Sequence, residues 1–290
     1  MVAELLIDPD GLADAMLSST PPVVLDVRWQ LGDPDGHQHY RAGHIPGAVF
    51  VDLDVELAGP PSPESGRHPL PELADLQGAA RRWGIDDDVP VVVYDDSGNL
   101  AAARAWWLLR WGGIADVRML DGGLGAWQSA GFRVSQGDTE PRSGAVTLTA
   151  GHLPSVTIDN IGIGGDTDAQ LLDARAAERY RGEIEPVDPR AGHIPGAISA
   201  PTAENLAADG TFRSPDDLRV RFATLGINDG DDPVVYCGSG VNAAHQIAAL
   251  QIAGLRGTLF AGSWSQWSAD QARPVATGAD ETALTKENLR

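Results

Sequence analysis

Hydrophobic runs in this chain are short, and they alternate with longer apolar stretches of helical character. Val23-Val24-Leu25-Asp26-Val27-Arg28-Trp29 is β-branched and apolar, and reads as a strand ending in an acid. Pro90-Val91-Val92-Val93-Tyr94, Leu171-Leu172-Asp173-Ala174-Arg175 and Pro233-Val234-Val235-Tyr236 have the same character. Ala101 to Trp111 and Ala243 to Ala253 are the clearest helices, rich in Ala and Leu, with Trp in the first and Ile in the second. Strands that alternate with helices predict an α/β fold: a mostly parallel sheet with helices on both faces.

The pattern occurs twice. Ala42-Gly43-His44-Ile45-Pro46-Gly47-Ala48 returns letter for letter, 149 positions later, as Ala191 to Ala197. An aromatic-Arg pair precedes each copy, Tyr40-Arg41 and Tyr180-Arg181. Tyr94-Asp95 matches Tyr236-Cys237, and Leu120 to Trp127 parallels Phe260 to Trp267. Matches in one order at nearly one offset mean a duplicated domain. The expected division is residues 1–135, a linker over 136–155 that is polar and weakly periodic, and residues 156–290. The tail after Ala276 is polar, with little to pack.

Composition narrows the chemistry. One cysteine in 290 residues excludes internal disulfides, Cys-x-x-Cys redox chemistry and multi-cysteine zinc sites. The only close histidine pair, His37 and His39, is too weak a pattern for a metal site, and neither metal nor cofactor is expected. A net charge of −20, from 21 basic and 41 acidic residues, argues against nucleic acid and anionic membrane surfaces as partners. An anionic substrate would need local arginines and backbone N–H groups to bind it against that field. No run reaches the length of a membrane span, and the opening residues lack the basic and apolar regions of an export signal. The expectation is a cytoplasmic protein.

The single cysteine stands where chemistry is expected. In Tyr236-Cys237-Gly238-Ser239-Gly240-Val241-Asn242 a strand ends, two glycines turn the chain, and a helix opens. Such a turn aims backbone N–H groups and the positive helix end at one point, which favours thiolate and other anions. The first half carries Asp95 at the equivalent position, so it cannot supply a sulfur nucleophile and reads as an inactive wall of the site. Phosphatases built on a cysteine loop need Cys-x5-Arg, and Ala243 occupies the arginine's place.

Two His-Ile-Pro-Gly-Ala boxes, a cysteine loop only in the second half, and Gly262-Ser263-Trp264-Ser265-Gln266-Trp267 together resemble the tandem-domain rhodanese-type sulfurtransferases. The resemblance covers nearly the whole chain. It implies a five-stranded sheet in each half and an active site between the halves. It further implies that Cys237 takes a sulfur from a small anionic donor, becomes a persulfide, and passes the sulfur to cyanide or a thiol such as thioredoxin or a low-molecular-weight thiol. Members that use 3-mercaptopyruvate usually carry Cys-Gly-Ser-Gly-Val-Thr, and this chain departs only at Asn242. Thiosulfate is the alternative donor, and a non-catalytic binding or redox-sensing module is the alternative role. Gly238, Gly240, Val241 and Asn242 would then shape the donor loop. By the same match, Ser239 would relay a proton, backed by His44 and by an acid in the Gly32 to Gly36 loop, Asp33 in preference to Asp35. Arg179 and Arg190 are the candidates for a donor carboxylate, which guanidinium binds bidentately.

Overall fold

The computed structural model describes residues 5–162 and 170–279. The first half holds strands β1 (Leu6–Ile7), β2 (Val23–Asp26), β3 (Val49–Phe50), β4 (Val91–Tyr94) and β5 (Val117–Leu120). Its helices are α1 (Pro9–Met16), α2 (Gly36–Ala42), α3 (Leu53–Glu56), α4 (Leu73–Arg82), α5 (Ala102–Trp111) and α6 (Gly123–Ser129). The second half holds β6 (Ser155–Val156), β7 (Leu171–Asp173), β8 (Ala197–Ser199), β9 (Val234–Tyr236) and β10 (Thr258–Phe260). Its helices are α7 (Ala177–Tyr180), α8 (Pro215–Thr224), α9 (Val241–Ile252) and α10 (Ser263–Ala269). Each half forms one five-stranded sheet, in the orders β1-β5-β4-β2-β3 and β6-β10-β9-β7-β8. Every pairing is parallel, with Leu25 opposite Val93 and Leu172 opposite Val235. The two orders superimpose element for element, as the sequence repeat requires.

Continuous apolar strands are what a sheet covered on both faces needs, and β4 and β9 are buried throughout. Alternation divides their side chains between layers. Val91, Val93 and Val235 enter one large core shared by both halves. Val92 and Tyr94 face a second core against Ile7, Leu12 and Trp127. Val234 and Tyr236 face a third against Tyr180, Trp264 and Trp267. The shared core is centred on α5 and α9, which pack on each other across the domain boundary. Both helices are apolar nearly all round, which suits burial between two sheets. Where a helix is exposed, its end is marked locally: Ser214 caps α8 through the Asp217 N–H, and Pro215 fills the first turn.

The expected linker is better ordered than its composition suggests. Val146 and Leu148 are buried in the shared core. The Ala145, Thr147 and Leu148 N–H groups donate to Asp86, Asp87 and Gln77, so the segment is strapped along the α4 side of the first domain. Of the polar tail, Ala276 pairs with His193 by two backbone hydrogen bonds, and positions from 280 onward lie outside the described residues.

Candidate active site

Cys237 follows the last residue of β9, and α9 begins four positions on, at Val241. Gly240 lets the chain turn: its φ is +82°, and a Cβ there would meet the Ala261 carbonyl at 2.4 Å. Its N–H donates to the Cys237 Sγ at 3.1 Å. The start of α10 fixes the loop from behind. The Cys237 and Gly238 carbonyls accept from the Trp264 and Ser265 N–H groups, and Ser263 Oγ accepts from the Cys237 N–H. The thiol is 3% exposed and opens on a cavity of about 500 Å³ between the halves. Gly238, Ser239, Val241 and Asn242 line that cavity beside Cys237, as does Trp29 of the first domain.

In the first half the same turn is already filled. The Asp95 carboxylate is fully buried and accepts from the N–H groups of Ser97, Asn99, Ala101 and Ala102 at 2.8–3.1 Å. Burial pushes its carboxyl up, and those four donors act against the rise. A strand-to-helix turn of this fold therefore cradles an anion, supplied in one half by the chain itself.

Ser239 is the first step of a hydrogen-bonded chain into the other domain. Its hydroxyl lies 2.7 Å from His68 Nδ1, and His68 Nε2 lies 2.9 Å from Asp54 Oδ1. A carboxylate can only accept, so Nε2 carries the ring proton and Nδ1 is left to accept from the serine. Trp29 Nε1 donates to the same Asp54 oxygen at 2.9 Å and packs edge-on against the His68 ring. Burial holds His68 below its ordinary value, and Asp54 works against that shift.

This arrangement corrects two sequence expectations. His44 does not reach Ser239. Its Nδ1 bonds the Tyr40 carbonyl, its ring stacks on Tyr40 at 4.1 Å, and its backbone pairs with Ser135. His193 does the same on Tyr180, at 3.7 Å, so the duplicated histidine is a fastening of the box. Asp33 does not back His44 either: its carboxylate accepts from the Asp35 N–H and faces His39 at 3.6 Å. Asp35 precedes α2 as its N-cap residue and makes no side-chain cap bond.

The arginines divide in the same way. Arg179 lines the cavity, paired with Glu185 at 2.6 Å and Asp188 at 3.2 Å. Arg190 does not line it: its guanidinium donates to the carbonyls of Trp267, Ser268, Asp270 and Arg273, tying its segment to α10 and the loop that follows. In its stead the first domain brings Arg67, which sequence reasoning passed over. Arg104 of α5 is also new. It is fully buried and donates to the carbonyls of Leu57, His68, Pro69 and Gly240, so one cation joins the histidine segment to the cysteine loop. Burial pushes it down to about 10, and the Cys237 sulfur opposes that fall. One signal was available in the sequence. His44 recurs in the second half and proves structural, whereas His68, in Gly66-Arg67-His68-Pro69-Leu70, has no counterpart there.

The rhodanese-like domain model matches the chain twice, over residues 9–130 and 161–270. The chain belongs to this family, as a two-domain sulfurtransferase. It is 50% identical over 280 residues to a Mycobacterium tuberculosis protein provisionally named thiosulfate sulfurtransferase SseB, covering 95% of this chain and 98% of that one. It is 47% identical over 272 residues to a Pseudomonas aeruginosa protein provisionally named 3-mercaptopyruvate sulfurtransferase, covering 91% and 95%. The crystal structure of SseA from Escherichia coli, described as a 3-mercaptopyruvate sulfotransferase of rhodanese fold, superimposes with a TM-score of 0.80. That match has 32% identity and covers 90% of this chain and 99% of that one. Among the described residues no helix is long and apolar enough to cross a membrane.

Proposed function

We propose that this sulfurtransferase moves the sulfur of 3-mercaptopyruvate to a thiol acceptor by way of a persulfide on Cys237. The Cys237 thiolate attacks the donor sulfur and forms the S–S bond. The donor's C–S bond breaks, and its electron pair leaves on carbon as the enolate of pyruvate. The donor's own S–H proton, passed to carbon, completes pyruvate and leaves the persulfide as its anion, and an acceptor thiol or cyanide then takes the outer sulfur from Cys237. Low-molecular-weight thiols and thioredoxin-type dithiols suit the second step, and both are available in the reducing cytoplasm, where a protein with a single free thiol fits.

The observation that carries the donor choice is the Ser239–His68–Asp54 chain beside the thiol. The donor arrives as a thiol and departs on carbon, so its own S–H proton must pass from sulfur to carbon, and a serine backed by an oriented neutral histidine can take up that proton and return it. Sulfite leaves thiosulfate without one, so a thiosulfate enzyme has no use for the relay. The charge balance agrees. Arg67, Arg175 and Arg179 line the cavity, but they are paired with Asp173, Glu185 and Asp188. Such a cluster offers directed N–H groups for a monocarboxylate and little net charge for a dianion.

Steady-state transfer to cyanide with the two donors side by side tests this reading. The expected result is a higher kcat/KM for 3-mercaptopyruvate and no turnover by Cys237→Ser. A higher kcat/KM for thiosulfate would overturn the donor choice.

A further inference from the structure

The cavity at Cys237 is larger than the donor needs. Cavities of about 300–1,000 Å³ take drug-sized ligands. This one is about 500 Å³, and 3-mercaptopyruvate is far smaller than a drug. Its walls also differ in character. The second-domain side is made by the cysteine loop and by arginines already paired with acids. The first-domain side carries Trp29, Leu31 and Leu100, which are apolar, and Asp96, which is charged.

Asp96 is the unsatisfied acid of its turn. By the sequence repeat it stands where the second half has Gly238. Asp95 beside it is buried and accepts from four backbone N–H groups. The Asp96 side chain is 48% exposed and accepts no hydrogen bond among the described residues. Its ion-pair contact, Arg28 Nε, lies at 3.7 Å, beyond hydrogen-bond reach. Arg28 is committed elsewhere: it pairs with Asp26 at 2.6 Å and donates to the His39 and Gly43 carbonyls. Asp26 and Asp96 thus share one guanidinium, and the wall keeps negative charge in excess.

The second step of the reaction brings the acceptor to this wall. A nucleophile attacks a divalent sulfur from the side opposite the bond that breaks. That bond joins the outer sulfur to Cys237, so the acceptor approaches from the side facing away from the cysteine loop, where the first domain lies. Pyruvate has left by then, and its space is open. We propose that this first-domain wall is the acceptor subsite, with Asp96 as its specificity-determining residue for thiols that carry an ammonium group, a selectivity that rests on the Cys237 persulfide of the proposed function. The acceptor sulfur bonds to the outer sulfur while the bond to Cys237 breaks, and that bond's electron pair returns to Cys237. The acceptor's own S–H proton ends on the transferred sulfur. Asp96 holds the ammonium group, and Trp29 and Leu31 cover the carbon chain. An acceptor bearing only a carboxylate is repelled by the same group.

Three thiols of similar size and different charge test the subsite: cysteamine, mercaptoethanol and mercaptopropionate. Protein loaded with sulfur is mixed with each, and the discharge of Cys237 is timed. Asp96→Asn is expected to lower the cysteamine-to-mercaptoethanol rate ratio about twofold to fivefold, the range for an exposed ion pair. It is expected to raise the mercaptopropionate-to-mercaptoethanol ratio, and Asp96→Glu to retain part of the selectivity. Thiol acidity differs among the three acceptors, but it is common to wild type and variant and cancels in the comparison. Unchanged discharge ratios in Asp96→Asn, with wild-type melting behaviour, would overturn the subsite. Cys237 is the only thiol in the chain, so a second measurement needs no sulfur transfer: its labelling by aminoethyl methanethiosulfonate against methyl methanethiosulfonate. If neither donor loads Cys237, the proposed reaction fails and this labelling ratio decides the subsite alone. A fall in Asp96→Asn then sustains the charge-selective wall, and no change overturns it.

Discussion

Ser239 and the two histidines illustrate how much one residue's role depends on what the fold sets beside it. His44 is 1% exposed, and its ring nitrogens face the Tyr40 carbonyl and the Thr139 hydroxyl. His68 is 7% exposed and lies between a hydroxyl and a carboxylate at hydrogen-bond distance. With 3-mercaptopyruvate as donor, His68→Gln is expected to lower kcat about 10²- to 10⁴-fold, the range for a lost proton carrier. Turnover with thiosulfate should fall far less. His44→Gln should act on stability, costing about 1–3 kcal/mol for disturbed buried polar contacts, and should leave kcat close to wild type. The relay works with a neutral His68, and burial lowers that group from 6.5. Both donors need the Cys237 thiolate, so the ratio of the mercaptopyruvate rate to the thiosulfate rate isolates the relay, and that ratio is expected to hold as pH falls past 6.5 and to drop only once His68 takes up a proton. A drop of the ratio centred at or above that value would count against His68 as the carrier. Little of this was legible beforehand. The cysteine and its loop stand out by composition alone, but His68 and Ser239 are 171 positions apart and meet only through domain docking. The repeated box drew attention to His44 because duplication is visible in a sequence and a one-sided loop histidine is not.

At the scale of elements, the central pair is α5 and α9. Apolar periodicity predicted both helices, and α9 begins at Val241, two residues earlier than its apolar run. The sequence repeat likewise anticipated two equivalent sheets. It could not show the linker's order, because that order comes from side-chain acceptors on α4 and the loop after it and not from the linker's own pattern. Nor could it show how the helices hold polar groups between the domains. His245 on α9 is wholly buried, bonded to the Gly98 carbonyl of the first domain at 3.2 Å and stacked on Phe212. Burial lowers it from 6.5 to about 3. Between those values the unfolded chain binds a proton that the native protein refuses. His245 therefore contributes stability in full above pH 6.5, and the contribution is lost as pH falls toward about 3. The slope for one proton is at most about 1.4 kcal/mol per pH unit. Asp26, which burial pushes up to about 6, acts in the opposite sense and is common to wild type and variant. Denaturant unfolding of wild type and His245→Gln at about pH 7 and about pH 5 isolates the difference, and the variant is expected to lose less stability on acidification. An equal loss would show that His245 does not contribute to the pH dependence of stability.

At the scale of the molecule, duplication has divided labour. One half spends its strand-to-helix turn on Asp95, an anion of its own, and sends Arg67, His68 and Arg104 across to the other, with Asp54 behind the histidine. The second half keeps the thiol and Arg179. The reacting centre is therefore complete only where the halves meet, and a net charge of −20 leaves these few arginines to receive an anionic donor. Sulfur received from the donor stays on the protein when no acceptor is present, so intact mass after exposure to 3-mercaptopyruvate alone reads the proposed reaction. The expected product is a species heavier by one sulfur, located to Cys237, absent from Cys237→Ser and discharged by cyanide or a thiol. A wild-type chain whose mass is unchanged by 3-mercaptopyruvate and by thiosulfate alike would rule out a Cys237 persulfide.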